Sequence, residues 1–274
     1  MIACPDTGSE ENIISADLVR SLGLPIREFT ELQAGSPSKT RQFVLANGNT
    51  MEAIGEVEVL CAFGNRPYPL SSCIRVIFNV FLQLAAPIII GMCFLEDTET
   101  MTKHRDRLIR VPSYEPVRVY SMGRLKKELM CFVDKQLTFG LPDTGSEIDL
   151  MSTQFASERR LKVEEKRECI EFADGSFAIA SGVVKAKLSL DEHASATAPI
   201  VEFLVLENLI HDVLLGEKSI EEFEIFTKHQ NSVLSTMGPG TASELNWIRL
   251  AGNFERIFGW IRRRIRLRRR HERL

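Results

Sequence analysis

The sequence predicts a mainly β chain of two tandem lobes, each a closed barrel of strands, with a basic helix towards its C-terminal end. Three observations carry that reading. The hexapeptide Pro-Asp-Thr-Gly-Ser-Glu occurs at 5–10 and again at 142–147. Segments such as 182–190 alternate apolar and polar residues, the period of a half-buried strand. The dipeptides Asn47-Gly48 and Asp174-Gly175, which supply the positive φ that tight hairpins need, fall at matching places in both copies.

The repeat sets the organisation. An offset of 137 relates the two hexapeptides and continues through Ser15 and Ser152, Leu24 and Leu161, and Ile26 and Val163. It falls to 127 where Ala46, Asn47 and Gly48 match Ala173, Asp174 and Gly175, and where Gly55 matches Gly182. It becomes 125 for Gly91 against Gly216, and for Thr102, Lys103 and His104 against Thr227, Lys228 and His229. Three registers with two small shifts describe a duplicated unit of roughly 100 residues. The larger shift coincides with the polar Gly/Ser/Pro stretch 33–40, which reads as a surface insertion. The lobes are expected at 1–113 and 124–235, followed by a linker and basic helical tail at 236–274.

Within each copy, 56–61 and 182–190 read as strands. A helix is expected after each hexapeptide, with Ser15 and Ser152 as N-caps. The second copy is preceded by apolar segments at 130–133 and 137–139 that can form strands. The first copy has only five residues before Asp6, so its lobe is expected to lack an N-terminal strand and to expose an edge.

The stretch 76–95 runs without a charge and is long enough to span a bilayer. Its counterpart, 200–216, carries Glu202, Glu207, His211 and Asp212. Charges at that density do not sit in a bilayer core, so both stretches read as buried strands.

The net charge of -3 gives the whole chain no reason to seek nucleic acid. The segment 256–274, however, holds nine Arg and one Glu, about +8 against a body of about -11. That tail reads as a solvated basic helix, set against contact with anionic lipid or nucleic acid, or a nuclear address. Trp247, Leu250, Phe254, Phe258, Trp260 and Ile261 are its apolar positions, and Gly238, Pro239 and Gly240 its linker. Six cysteines form no Cys-x-x-Cys pair, so neither a metal framework nor a cofactor is expected. The start carries no secretory leader, which favours the cytoplasm or nucleus; it equally fits a chain whose true N-terminus lies upstream.

A lone Asp-Thr-Gly is an ordinary turn. Here two copies occupy one place in a repeated β unit, and each is followed by an Ala-Asn/Asp-Gly turn and then by an apolar run ending in Gly91 or Gly216. On these residues the unit resembles the retropepsin-like aspartic peptidases, and the pair resembles two retropepsin-like lobes joined as in the bilobal enzymes. The resemblance implies an aspartic endopeptidase acting on a peptide or protein substrate, with Asp6 and Asp143 as the catalytic dyad. It implies that Thr7 and Thr144 brace the two loops, with Gly8 and Gly145 beside the substrate and Ser9 and Ser146 bonding near the carboxylates. The apolar-Gly segments would pack beneath the loops. Asn47, Gly48, Asp174 and Gly175 would form flap turns. Two carboxyls a few ångströms apart share one proton, so one member serves as base towards water while the other donates to the scissile carbonyl.

The chain departs from the pattern at Pro5 and Pro142, where a bulky apolar residue is usual, and neither flap turn carries a Tyr or Trp. Two alternatives stand beside the enzyme. One is a catalytically inactive peptide-binding or interaction module, of mobile-element origin. The other is a second lobe that pairs with its like in a homodimer rather than within the chain. His104 and His229 read as surface turns, having no evident partner to tune them.

Overall fold

Alternating side chains bury one face of the strand over 50–61, shorter strands such as 149–152 and 213–215 are buried on both faces, and the two repeats fold their strands in the same order. The computed structural model describes residues 2–30, 40–63, 73–109, 117–120, 122, 127–191, 197–229 and 232–235. The expected insertion at 33–40, apart from Thr40, lies outside the described residues, as do the linker and the basic helix. The described residues belong to one compact unit.

The first repeat contains β1 (Cys4–Asp6), β2 (Ile13–Ser15), α1 (Ala16–Ser21), β3 (Arg41–Val44), β4 (Thr50–Cys61), β5 (Ile74–Phe81), β6 (Ile88–Gly91) and α2 (Met92–Asp97). A short strand, β7 (Val117–Val119), follows. The second repeat contains β8 (Lys127–Val133), β9 (Gln136–Pro142), β10 (Asp149–Ser152), α3 (Thr153–Glu158), β11 (Val163–Glu164), β12 (Cys169–Phe172) and β13 (Phe177–Ile179). It ends with β14 (Gly182–Ser189), β15 (Ile200–Leu206), β16 (Val213–Leu215), α4 (Glu217–Glu222) and β17 (Val233–Ser235). The helices obey the sequence offsets: α1 and α3 begin at Ala16 and Thr153, α2 and α4 at Met92 and Glu217. Ser15 and Ser152 cap α1 and α3, their hydroxyls accepting from Leu18 N–H and Phe155 N–H.

Both repeats weave the same core. In the first, β6 lies parallel to β1 and antiparallel to β2, which runs parallel to β5. In the second, β16, β9, β10 and β15 repeat the arrangement. The stretch 76–95 is thus β5, β6 and most of α2, and among the described residues no helix is long and apolar enough to cross a membrane.

The fold is mainly β, but the two lobes close differently. The second sheet runs β14-β15-β10-β16-β9-β8, and β8 pairs back onto β14 through Phe132–Ser189 and Val133–Leu188. That closes a six-stranded barrel around Leu129, Met151, Phe203 and Val213. The first sheet runs β1-β6-β2-β5-β4-β3 and remains a half-barrel. The expectation of two closed barrels is corrected here. Among the described residues the first lobe has no strand in the place of β8, so β1 is its edge. A further core, containing Ile13, Leu45 and Phe81 with Leu141, Ile170 and Phe172, joins the lobes.

Candidate active site

The two Asp-Thr-Gly-Ser loops meet where the lobes join, each at the end of a strand. Parallel pairing aligns Asp6 at the end of β1 with Gly91, and Pro142 at the end of β9 with Leu215. The apolar-Gly segments therefore lie directly against the loops. Met92 N–H donates to Ser9 O at 2.7 Å, and Glu217 N–H to Ser146 O at 2.8 Å, pinning both loops to the following helices.

The threonines cross. Thr7 N–H donates to Thr144 Oγ1 at 2.9 Å, and Thr144 N–H to Thr7 Oγ1 at 2.9 Å. Each hydroxyl in turn donates a hydrogen bond to the opposite proline carbonyl, Thr7 to Pro142 O and Thr144 to Pro5 O, both at 3.0 Å. The unusual prolines thus contribute their carbonyls, and the N–H that proline lacks is not needed for this lock. Four reciprocal bonds hold the loops in one relative position.

That position places the carboxyls together. Asp6 and Asp143 are both 0% exposed. A Cβ added to Gly8 would stand 2.4 Å from Asp143 Cγ, and one added to Gly145 would stand 2.6 Å from Asp6 Cγ. Only glycine lets each loop pass this close to the opposite acid.

The two acids have unequal surroundings. Asp6 accepts from Gly8 N–H at 2.7 Å, Ser9 N–H at 3.0 Å and Ser9 Oγ at 2.6 Å. At Asp143, Oδ1 accepts from Gly145 N–H at 2.8 Å. Its Oδ2 is buried without a hydrogen-bond partner of ordinary geometry, although the Asp6 carboxyl stands close enough to act on it directly. Burial raises both acids above the usual carboxylate range. At Asp6 the hydrogen bond with Asp143, and after it those from Ser9 and Gly8, hold that rise down. At Asp143 the charge of Asp6 adds to burial and pushes it well above. Ser146 differs from the expectation: its hydroxyl donates to Ile148 O at 2.6 Å, whereas Ser9 serves its aspartate.

The expected flap turns are hairpin turns. Asn47 and Asp174 side chains accept from Asn49 N–H and Ser176 N–H at 3.0 and 2.9 Å. Gly48 and Gly175 take φ of 83° and 76°, which glycine adopts without strain. Each hairpin is tied to the other lobe: Ile210 N–H donates to Ala46 O at 3.0 Å, and Ala85 N–H to Ala173 O at 2.8 Å.

Sequence reasoning missed Asn12 and Asp149, which the offset of 137 relates. Asn12 Oδ1 accepts from Gly91 N–H at 3.1 Å and Asp149 Oδ1 from Gly216 N–H at 2.8 Å. Each fixes the glycine beneath its loop. Among the described residues no group of three or more His, Cys, Asp or Glu side chains gathers as a metal site would.

No family model and no curated protein matches the chain. Among solved structures it is similar to the retroviral protease-like domain of Ddi1 from Leishmania major, at 16% identity and a TM-score of 0.26, over 37% of this chain and 75% of that one.

Proposed function

We propose that this chain is an aspartic endopeptidase, its dyad formed by Asp6 and Asp143 within one chain. The observation that carries the reading is the pair of fully buried carboxyls held together by the crossed threonines. Asp6, with three donors, is the ionised member and takes a proton from the attacking water. Asp143, which burial and the charge of Asp6 push well above the usual range, carries the shared proton and gives it to the scissile carbonyl oxygen. Collapse of the tetrahedral intermediate returns a proton to the leaving amine. The two hairpins cover the cleft as flaps.

Activity then requires one proton on the pair. It falls at low pH as Asp6 protonates and at higher pH as Asp143 loses its proton. Because both acids are raised, both limbs of the profile lie above the ordinary carboxylate range. Asp143→Asn and Asp6→Asn should each lower kcat on an internally quenched peptide by about 10²–10⁴-fold. Full activity in either variant refutes the proposal.

The open edge at β1 favours a second reading, a peptide-binding module without turnover. Peptide binding by the wild-type chain, with no hydrolysis across the acid range, would select it.

A further inference from the structure

The backbone between the repeats crosses the site. It belongs to neither copy, and it forms an added strand between the catalytic loops and the hairpins. On one side β7 runs parallel to β12 of the second hairpin, with Val117 opposite Ile170 and Val119 opposite Phe172. On the other side it meets the second Asp-Thr-Gly-Ser loop. Arg118 N–H donates to Glu147 Oε2 at 3.0 Å, and Arg118 O accepts from Glu147 N–H at 3.0 Å. Val119 bridges Ser146, and Tyr120 N–H donates to Gly145 O at 3.0 Å.

Further along, the strand changes lobes. Met122 bridges Leu45 of the first hairpin, and its N–H donates to Ser9 Oγ at 3.0 Å. Residues 117–120 together with Met122 therefore touch both Asp-Thr-Gly-Ser loops below and both hairpins above. Val119, Tyr120 and Met122 are 1%, 7% and 1% exposed, among Phe43, Leu45, Ile170 and Phe172. Arg118 Nε stands 3.8 Å from Glu171 Oε2 on the second hairpin. Main-chain bonds on both edges, with side chains taken into the walls, are how a cleft holds an added peptide strand.

We propose that Val117–Tyr120 and Met122 are a resident peptide ligand of this cleft, so that the chain occupies its own peptide site and excludes outside peptide until they are released. The proposal rests on reading the cleft as a peptide site. It also names the ligand class: an extended peptide with a basic residue followed by apolar ones. The tether gives the strand an effective concentration in the millimolar range, so modest affinity suffices to keep the site filled.

The test uses the full chain and the labelled peptide Val-Arg-Val-Tyr-Ser-Met, with binding followed by anisotropy and cutting by a quenched version. Tyr120→Pro removes the N–H given to Gly145 and the buried ring, and should strengthen binding of the outside peptide by about tenfold or more. Arg118→Ala, which alters only the ligand strand, should strengthen it by roughly threefold. Equal binding by wild type and both variants overturns the proposal and leaves the peptidase reading intact. Binding that rises without hydrolysis sustains the proposal and removes the peptidase reading. Hydrogen exchange on the wild type guards against misfolded variants. Amides of Tyr120 and Met122 should exchange by local opening that free peptide accelerates. Exchange only through global unfolding, at the rate of β15 amides, marks a permanent core strand and overturns the proposal.

Discussion

Replacing Asp149 by asparagine should stabilise the protein at neutral pH. The carboxyl is buried, and its Oδ2 accepts from Ser219 Oγ at 2.7 Å while Oδ1 accepts from Gly216 N–H. Burial is the largest influence and raises it from 3.8 to about 6, against the opposing pull of Ser219, Gly216 and Lys218, with Glu222 adding slightly to the rise. An acid whose folded value exceeds its unfolded value binds its proton more tightly in the fold. Its stabilisation is complete below about pH 4 and is lost as pH rises through about 6. The gap of about 2 pH units corresponds to about 3 kcal/mol lost by pH 8. Asn12 already does the equivalent work at Gly91, so the amide fits this geometry. Urea denaturation of wild type and Asp149→Asn between pH 3.5 and 8 reads the difference directly. The variant should match wild type below about pH 4 and exceed it by up to about 3 kcal/mol at pH 8. A variant that is less stable at pH 8, or a difference that does not change with pH, refutes the reasoning.

Two further predictions concern the loops. Ser9→Ala removes a donor from Asp6 Oδ2 and should move the acid limb of the pH–activity profile upward, whereas Ser146→Ala, whose hydroxyl serves Ile148 O, should leave that limb in place. Thr144→Val strips Thr7 N–H and Pro5 O of their partners and should destabilise the chain by about 2–4 kcal/mol in the same denaturation assay.

Much of this arrangement was legible because it is local or repeated. Ser15 and Ser152 announced two caps, Gly48 and Gly175 two turns, and the offsets the shared order of elements. Nothing in the residues showed that β8 would close the second barrel onto β14 while the first lobe stayed a half-barrel. Long-range pairing was invisible. Nothing in the residues around Tyr120 says that they thread between two loops, since an apolar alternation names a strand but not its neighbours. The divergence of Ser9 and Ser146 was equally hidden: Ser9 Oγ donates to Asp6 and accepts from Met122 N–H, while Ser146 Oγ donates to Ile148 O. The offset did align Asn12 with Asp149, but a polar residue below a glycine is recognisable only once the backbone is folded.

The threonine lock also governs when the site can exist. Thr7 and Thr144 are 137 residues apart. At ribosomal rates of 5–20 residues per second, roughly 7–27 s separate their synthesis. Throughout that interval Asp6 has no partner acid, and Thr7 N–H and Pro5 O lack the partners that the second loop brings. The dyad should therefore assemble only after residue 144 has been made, and nascent chains stopped before it should hold the first loop unlocked.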